Sequence, residues 1–176
     1  MQLIEINKSK YDISIDLKYA SNDNIIGKQI FFERKCFLHP EAADKLYKAC
    51  AIAKSLKYKL KIFDAYRPHY VQETLWNFNP DPKFLSDPEK GSPHTRGVAI
   101  DLTLTDLNGI ELNMGTSFDD FSEKAFHLSS EISLKSRKYR AILLSIMTLA
   151  GFDFYHNEWW HYQLFNARKY KLINKV

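Results

Sequence analysis

Residues 97–105 alternate between large apolar side chains and small or polar ones, and no pattern in this chain of 176 residues restricts the fold more. Successive side chains of a β-strand point to opposite faces, so the alternation predicts a strand with one apolar face. That face comprises Val98, Ile100, Leu102 and Leu104. Asp101 lies on the other face, between Ala99 and Thr103, and burying its carboxylate is costly unless it is paired or binds a metal ion.

Periodicity elsewhere in the chain predicts more strands than helices. Strands are predicted over residues 12–20, 29–37, 58–63, 152–155 and 159–165, and residues 110–112 return from a hairpin turn at Asn108–Gly109. Helices are predicted over residues 40–56, 70–78 and 136–150. Hairpins outnumber the parallel crossovers that this order allows. We therefore expect an α+β fold, a single domain over residues 1–176 with a central antiparallel or mixed sheet and flanking helices.

Composition and the first residues argue against several classes of protein. No run of 18 apolar residues occurs, so no membrane-spanning helix is expected. Residues 1–8 lack the apolar run of a signal peptide, and we expect a cytoplasmic protein. The net charge is only +4, no RNA-binding motif is present, and we expect neither nucleic acid nor a membrane as a partner. The basic tail, which we interpret as a solvated end, contains Arg168, Lys169, Lys171 and Lys175.

Two separate segments together predict a metal site. His94 lies where the proline-rich loop of residues 79–93 meets the central strand, and Asp101 lies within that strand. Glu158 and His161 lie in the most aromatic run of the chain. A hydrolytic zinc site needs three protein ligands, an open position for water and a neighbouring carboxylate. His94, Asp101 and His161 would supply the ligands. Glu158 would take a proton from the attacking water and pass it to the leaving amine.

Each cluster alone also has a simpler explanation. A histidine and an aspartate seven residues apart more often belong to a hydrogen-bonded core or an exposed strand, and the aromatic run more often packs as a buried tryptophan pair. Residues three apart in a flat strand face opposite sides, so Glu158 and His161 converge only if the strand bulges or begins after Glu158. The presence of both clusters in one chain favours the metal site.

Arg67 is a third candidate for the chemistry. It follows the predicted strand of residues 58–63 and precedes a proline, so it is held at the end of a strand. A fixed guanidinium can stabilise the oxyanion of a tetrahedral intermediate or bind a substrate carboxylate. A structural ion pair, for example with Asp64, is the alternative, and position alone favours that alternative.

Three motifs resemble those of the zinc D-alanyl-D-alanine dipeptidases, the enzymes associated with vancomycin resistance. They are Asp64-Ala-Tyr-Arg-Pro68, Ser92-x-His94-x-Arg-Gly97-x-Ala99-x-Asp101 and Glu158-Trp-Trp-His-Tyr162, with lesser landmarks around Tyr19 and Asp119. They occur in the family's order between residues 12 and 165. The family is related to the zinc D-Ala-D-Ala carboxypeptidases and to the Hedgehog signalling domain. Pro93 and a short 79–91 loop depart from its pattern.

The resemblance implies a fold like that of Hedgehog and the DD-peptidases, and one Zn²⁺ per chain. The implied zinc ligands are His94, Asp101 and His161. Glu158 is implied as the catalytic acid and base, and Arg67 as the group that stabilises the transition state. The implied activity is hydrolysis of the dipeptide D-alanyl-D-alanine, in the turnover of cell-wall precursors.

The resemblance also implies that Ser92, Asp119 and Tyr19 contact the dipeptide, with Asp119 near its free amine. A zinc D,D-carboxypeptidase or peptidoglycan peptidase that acts on longer muropeptides is an alternative in the same class. A zinc-containing binding module without catalysis is an alternative in another class. The presence of both Glu158 and Arg67 favours an enzyme, because a purely structural zinc site needs neither.

Overall fold

The fold is built on a five-stranded mixed sheet, as seen in a computed structural model that describes residues 2–173. Lys175 of the basic tail therefore lies outside the described residues. The strands are β1 (Ile4–Glu5), β2 (Ser14–Ile15), β3 (Phe37–Leu38), β4 (Lys59–Asp64), β5 (Ala99–Thr105), β6 (Asp153–Phe154) and β7 (His161–Gln163). The helices are α1 (Lys8–Tyr11), α2 (Pro40–Ser55), α3 (His69–Phe78) and α4 (Leu134–Ala150).

Strand β5 lies at the centre of the sheet, whose order is β2-β4-β5-β7-β6. Strand β2 pairs with β4 in parallel and the other neighbours are antiparallel, while β1 and β3 form a small separate sheet. All seven residues of β5 are buried, so both of its faces are covered. This arrangement confirms the predicted α+β fold with a mixed sheet.

The long helices α2 and α4 contact each other and pack against the sheet. Helix α2 begins at Pro40, where the His39 ring accepts a hydrogen bond from the Glu41 amide. Its buried residues recur at helical spacing and include Ala43, Leu46, Ala49 and Ala53. Helix α4 ends at Gly151, whose φ of 102° is left-handed, a conformation that favours glycine. Both helices were predicted to within two residues at each end.

Two predicted strands are largely wrong. In the 12–20 segment only β2 is a strand, and Lys18–Ala20 forms a 3-10 turn in which the Lys18 ammonium pairs with Asp16 and Asp23. In the 29–37 segment the amides of Ile30 and Phe31 both donate to the Tyr19 carbonyl oxygen. These hydrogen bonds and ion pairs replace strand pairing in the two segments, and a left-handed φ of 52° at Arg34 also interrupts extended backbone.

The remaining connections follow the predictions. The Asn108–Gly109 turn forms a hairpin, since the Leu112 amide donates to the Leu104 carbonyl and Thr105 bridges to Glu111. Residues 79–93 form neither helix nor strand. No helix among the described residues is long and apolar enough to cross a membrane.

Candidate active site

One cavity of about 610 Å³ opens at the end of the central strands. Its lining includes all eight residues that the sequence nominated: Tyr19, Arg67, Ser92, His94, Asp101, Asp119, Glu158 and His161. Residues of the 79–93 loop line the same cavity, so this loop covers the site. Side chains that are up to 142 positions apart, from Tyr19 to His161, thus share one pocket.

The register of three neighbouring strands assembles the centre of the cavity. Asp101 on β5 lies opposite Asp64 on β4 and opposite His161 on β7. Directly opposed residues of antiparallel strands point to the same face, so the two carboxylates and the imidazole share one face of the sheet. The centre is therefore a consequence of strand register and does not depend on a flexible loop.

His94 reaches this face from a short 3-10 turn, His94–Arg96. The Ser92 hydroxyl oxygen accepts a hydrogen bond from the His94 amide, and Pro93 has φ −56° and ψ −32°, which suits the start of such a turn. Gly97 ends the turn at a φ of 68°, where a Cβ atom would lie 2.9 Å from the Leu3 side chain. The departure from the family pattern at Pro93 is thus compatible with the geometry that carries His94.

Three ligand atoms converge at the centre of the cavity. His94 Nε2 and His161 Nδ1 are 3.1 Å apart, and they lie 3.4 Å and 3.1 Å from the two oxygens of Asp101. A tetrahedral metal ion with bonds of about 2.0–2.1 Å separates neighbouring ligand atoms by about 3.3 Å. The three side chains are all buried and their donor atoms can hold one metal ion.

Hydrogen bonds behind the imidazoles fix their tautomers. His94 Nδ1 lies 2.7 Å from the Ala65 carbonyl oxygen, which can only accept, so Nδ1 carries the proton. His161 Nε2 lies 3.0 Å from Gln163 Oε1 and donates in the same way. In neutral rings the inner nitrogens therefore present bare lone pairs to each other and to Asp101. This arrangement is repulsive unless a proton or a metal ion lies between them, and the residues present fit a divalent metal ion.

The electrostatics of the centre also require a positive charge. Burial by itself would raise the pKa of Asp101, but the neighbouring imidazoles of His94 and His161 outweigh burial and hold that pKa well below its usual range. Burial would lower the pKa of His161, but Asp101 raises it to about 9. Asp101 is therefore an anion at neutral pH, which is the form that ligates a metal ion.

Glu158 lies beside the ligand atoms because β7 begins only at His161. Residues 156–160 form turns, and the His161 amide donates to the Glu158 carbonyl oxygen. One Glu158 carboxylate oxygen is 3.8 Å from His161 Nδ1. Of the two arrangements required for convergence, a bulge or a late strand start, the structure has the second. Burial raises the pKa of Glu158 to about 8, against the attraction of His161.

Arg67 is held rigidly at the edge of the centre. Its Nε donates to Asp64 at 2.8 Å, its Nη1 donates to Gln72 at 2.9 Å, and its Nη2 lies 3.5 Å from Asp101. Its guanidinium carbon is 5.0 Å from the centre of the Tyr19 ring. The ion pair with Asp64 that was the structural alternative is present. That pair occupies Nε and leaves Nη2 turned toward Asp101.

Asp119 and Tyr19 are buried neighbours in the cavity wall. The Tyr19 hydroxyl donates to Asp119 at 2.8 Å, and it is the only side chain among the described residues with a hydrogen bond to that carboxylate. Burial raises the pKa of Asp119 to about 7, although the Tyr19 hydrogen bond opposes this rise. Asp119 has a left-handed φ of 58° at the tip of its loop. It is a buried acid that a cationic ligand would stabilise.

Only part of the aromatic run around Glu158 and His161 lines the cavity. Tyr155 and Trp160 line the cavity. Trp159 instead donates to Thr116, and Tyr162 points away from the cavity because it alternates with His161 along β7.

Comparisons with known proteins decide the family. The model of the peptidase M15 family described as D-ala-D-ala dipeptidase matches residues 1–175. This chain belongs to the M15 D-Ala-D-Ala dipeptidase family. It is therefore a peptidase, and M15 peptidases are metallopeptidases, in agreement with the convergent ligand atoms.

Curated relatives of this chain carry the name D-alanyl-D-alanine dipeptidase. The protein from Escherichia coli (strain K12) is 40% identical over 172 residues, which covers 98% of this chain and 89% of the relative. The protein from Enterococcus faecium is 35% identical over 170 residues, covering 85% of this chain and 84% of the relative. The protein from Enterococcus faecalis is 32% identical over 180 residues, covering 90% and 89%.

Three polar residues that support the site of this M15 peptidase were not predicted from the sequence. Gln163 bonds to His161, and its position two residues later on one strand places it on the same face, a signal that alternation could have provided. Gln72 bonds to Arg67 from helix α3, and no local pattern indicates that contact. Arg140 on α4 is 2% exposed and donates to the Met114, Lys124 and Phe126 carbonyls, closing the loop that carries Asp119.

The ligand geometry predicts that the purified M15 peptidase binds about one divalent metal ion per chain. Replacing His94 or His161 by alanine removes a ligand and should lower the bound metal at least about tenfold. The exposed His69 on helix α3 provides the matched control, and His69→Ala should keep the full metal content. Elemental analysis after desalting measures the ratio. Full metal content in folded His94→Ala would place the ion elsewhere.

Proposed function

We propose that this chain is a zinc enzyme that hydrolyses D-alanyl-D-alanine, with His94, Asp101 and His161 as the zinc ligands. The observation that carries the proposal is the convergence of two imidazole nitrogens and the Asp101 carboxylate, next to Glu158 and Arg67 in one cavity. Relatives that cover nearly the whole chain bear the name of this activity. When bound, zinc would supply Lewis-acid chemistry, lowering the pKa of water and polarising the scissile carbonyl.

Glu158 has the position required of the general base. Its carboxylate lies 3.8 Å from a ligand nitrogen and is buried, so a water beside the ligands lies within its reach. We propose that Glu158 takes one proton from this water as its oxygen attacks the carbonyl carbon. The same carboxyl group then gives the proton to the nitrogen of the leaving D-alanine. Positioned acid–base groups of this kind contribute about 10²–10⁴-fold to a rate.

Arg67 has the position required to stabilise the oxyanion. Attack on the peptide carbonyl places a negative charge on its oxygen, and fixed donors in a water-poor site stabilise that charge best. The Arg67 guanidinium is already oriented by Asp64 and Gln72, so little reorganisation accompanies the reaction. The guanidinium stays positively charged, because the flanking carboxylates outweigh burial and raise the pKa of Arg67 further.

Polar side chains of the cavity wall suit the polar groups of a dipeptide. The buried Asp119 carboxylate would pair with the substrate ammonium, while Tyr19 holds that carboxylate in place. Ser92 is buried and accepts the His94 amide, so its own hydroxyl proton can be donated to the substrate. A peptide with a blocked amine would leave Asp119 without its partner, which penalises longer substrates. Removal of this dipeptide would act in cell-wall precursor turnover.

Three substrates test the proposed specificity. We expect release of alanine from D-Ala-D-Ala and none from N-acetyl-D-Ala-D-Ala, because acetylation removes the charge that Asp119 would bind. L-Ala-L-Ala measures the preference for D residues. Release of D-alanine should be followed by chromatography with zinc-loaded protein. Rapid cleavage of the acetylated peptide would support a D,D-carboxypeptidase, and cleavage of none of the three would contradict the proposal.

Replacing Glu158 by glutamine tests the general base. The amide keeps the size of the side chain but cannot accept the proton, so kcat should fall by at least about 10²-fold while zinc content stays at the wild-type value. The exposed Glu123 offers the matched control, and Glu123→Gln should retain full activity. Steady-state kinetics and elemental analysis of the same preparations measure both quantities. Near-normal turnover in Glu158→Gln would exclude Glu158 as the base.

A further inference from the structure

The side-chain amide of Gln72 connects two parts of the cavity wall. Gln72 is fully buried on helix α3. Its Oε1 accepts a hydrogen bond from Arg67 Nη1 at 2.9 Å, and its Nε2 donates to the Ser86 carbonyl oxygen at 2.7 Å. Because a guanidinium only donates and a carbonyl only accepts, the orientation of the amide is fixed. Both ends of one side chain are therefore committed, one to Arg67 and one to the 79–93 loop.

Among the described residues, Gln72 is the one hydrogen-bond partner of Arg67 Nη1. The bond from Nε to Asp64 fixes one nitrogen, and the Tyr19 ring lies against the guanidinium carbon. A second hydrogen bond at a different nitrogen fixes the rotation of the planar group. With Nε and Nη1 held, Nη2 is directed toward Asp101, at 3.5 Å.

The other partner of Gln72 belongs to the loop that covers the site. Ser86 lines the cavity, as do several of its neighbours in the 79–93 loop. This loop has a second attachment near its start, where the Lys83 carbonyl oxygen accepts hydrogen bonds from Tyr155 at 2.9 Å and from Asn157 at 3.2 Å. The second attachment does not involve Arg67. The two attachments can therefore be tested separately.

We infer that Gln72 is a positioning residue for the reaction, which holds the Arg67 guanidinium in register with the loop that covers the substrate. The inference rests on the proposed function, since it assigns Gln72 to the stabilisation of the oxyanion by Arg67. When the loop is seated, the Ser86 carbonyl orients the amide, and the amide orients Arg67. Gln72 itself does not line the cavity, and among the described residues its side chain has no hydrogen bond to a metal ligand.

Kinetics of single and double variants on D-Ala-D-Ala test the inference. Gln72→Met keeps the length of the side chain and removes both hydrogen bonds, so kcat should fall at least about tenfold, with KM changed less than about threefold and zinc content unchanged. In an Arg67→Lys background the Nη1 partner is already absent. There Gln72→Met should lower kcat by less than about threefold. Equal losses in both backgrounds would show a general structural effect and overturn the inference.

Two further variants separate the loop from Arg67. Asn157→Ala removes one hydrogen bond to the Lys83 carbonyl and so weakens the attachment of the 79–93 loop that does not involve Gln72. In this variant kcat should stay within about twofold of the wild-type value. Gln72→Glu keeps an oxygen that can accept from Arg67 Nη1 but loses the donor to Ser86, so its kcat should lie between those of wild type and Gln72→Met. If Gln72→Met does not fold, Gln72→Leu replaces it in both backgrounds, and equal losses of kcat in the two backgrounds again overturn the inference.

The unsubstituted protein distinguishes the two levels of the proposal. If wild type cleaves D-Ala-D-Ala and Gln72→Met cleaves it with the same kcat, the role of Gln72 is wrong and the proposed function stands. If wild type with bound zinc does not cleave D-Ala-D-Ala, the proposed function fails and the role of Gln72 fails with it.

Discussion

The site is built around two imidazole nitrogens that face each other across 3.1 Å beside a buried carboxylate. When both rings are neutral, the lone pairs of these nitrogens repel each other. Backbone and side-chain oxygens behind the rings hold both outer N–H groups, so neither ring can turn its lone pair away without losing a buried hydrogen bond. A metal ion between His94, His161 and Asp101, or a proton on one of the inner nitrogens, removes the conflict. The fold therefore maintains an arrangement that binding of a metal ion makes favourable.

Strand pairing makes this arrangement rigid, and it also brings two carboxylates close together. The register of β4, β5 and β7 places Asp64 and Asp101 opposite each other on one face, and like charges in that position repel. Arg67 lies between them, bonded to Asp64 and 3.5 Å from Asp101. The same guanidinium that offsets this repulsion is available to a developing oxyanion. Structural pairing and a role in the reaction are thus compatible for Arg67.

Local patterns predicted those parts of the fold whose hydrogen bonds are local or repeat with a fixed period. The alternation along β5 and the apolar side of α2 are such patterns. The 29–37 strand prediction was wrong because the Tyr19 carbonyl captures two amides of that segment, a contact that alternation does not reveal. In the site, the candidate metal ligands have side chains with recognisable chemistry. The amide of Gln72 gives no such chemical signal in the sequence, and only the packing of α3 against the 79–93 loop brings it to Arg67.

X-ray absorption at the zinc edge tests the central claim, that these residues hold the metal ion. The account predicts two imidazole nitrogens at about 2.0–2.1 Å and a carboxylate oxygen at about 2.0–2.2 Å, with no sulfur. In His161→Ala one imidazole should disappear from the signal, whereas His69→Ala should leave it unchanged. A sulfur ligand at about 2.3 Å, or a spectrum that His161→Ala does not alter, would contradict the account.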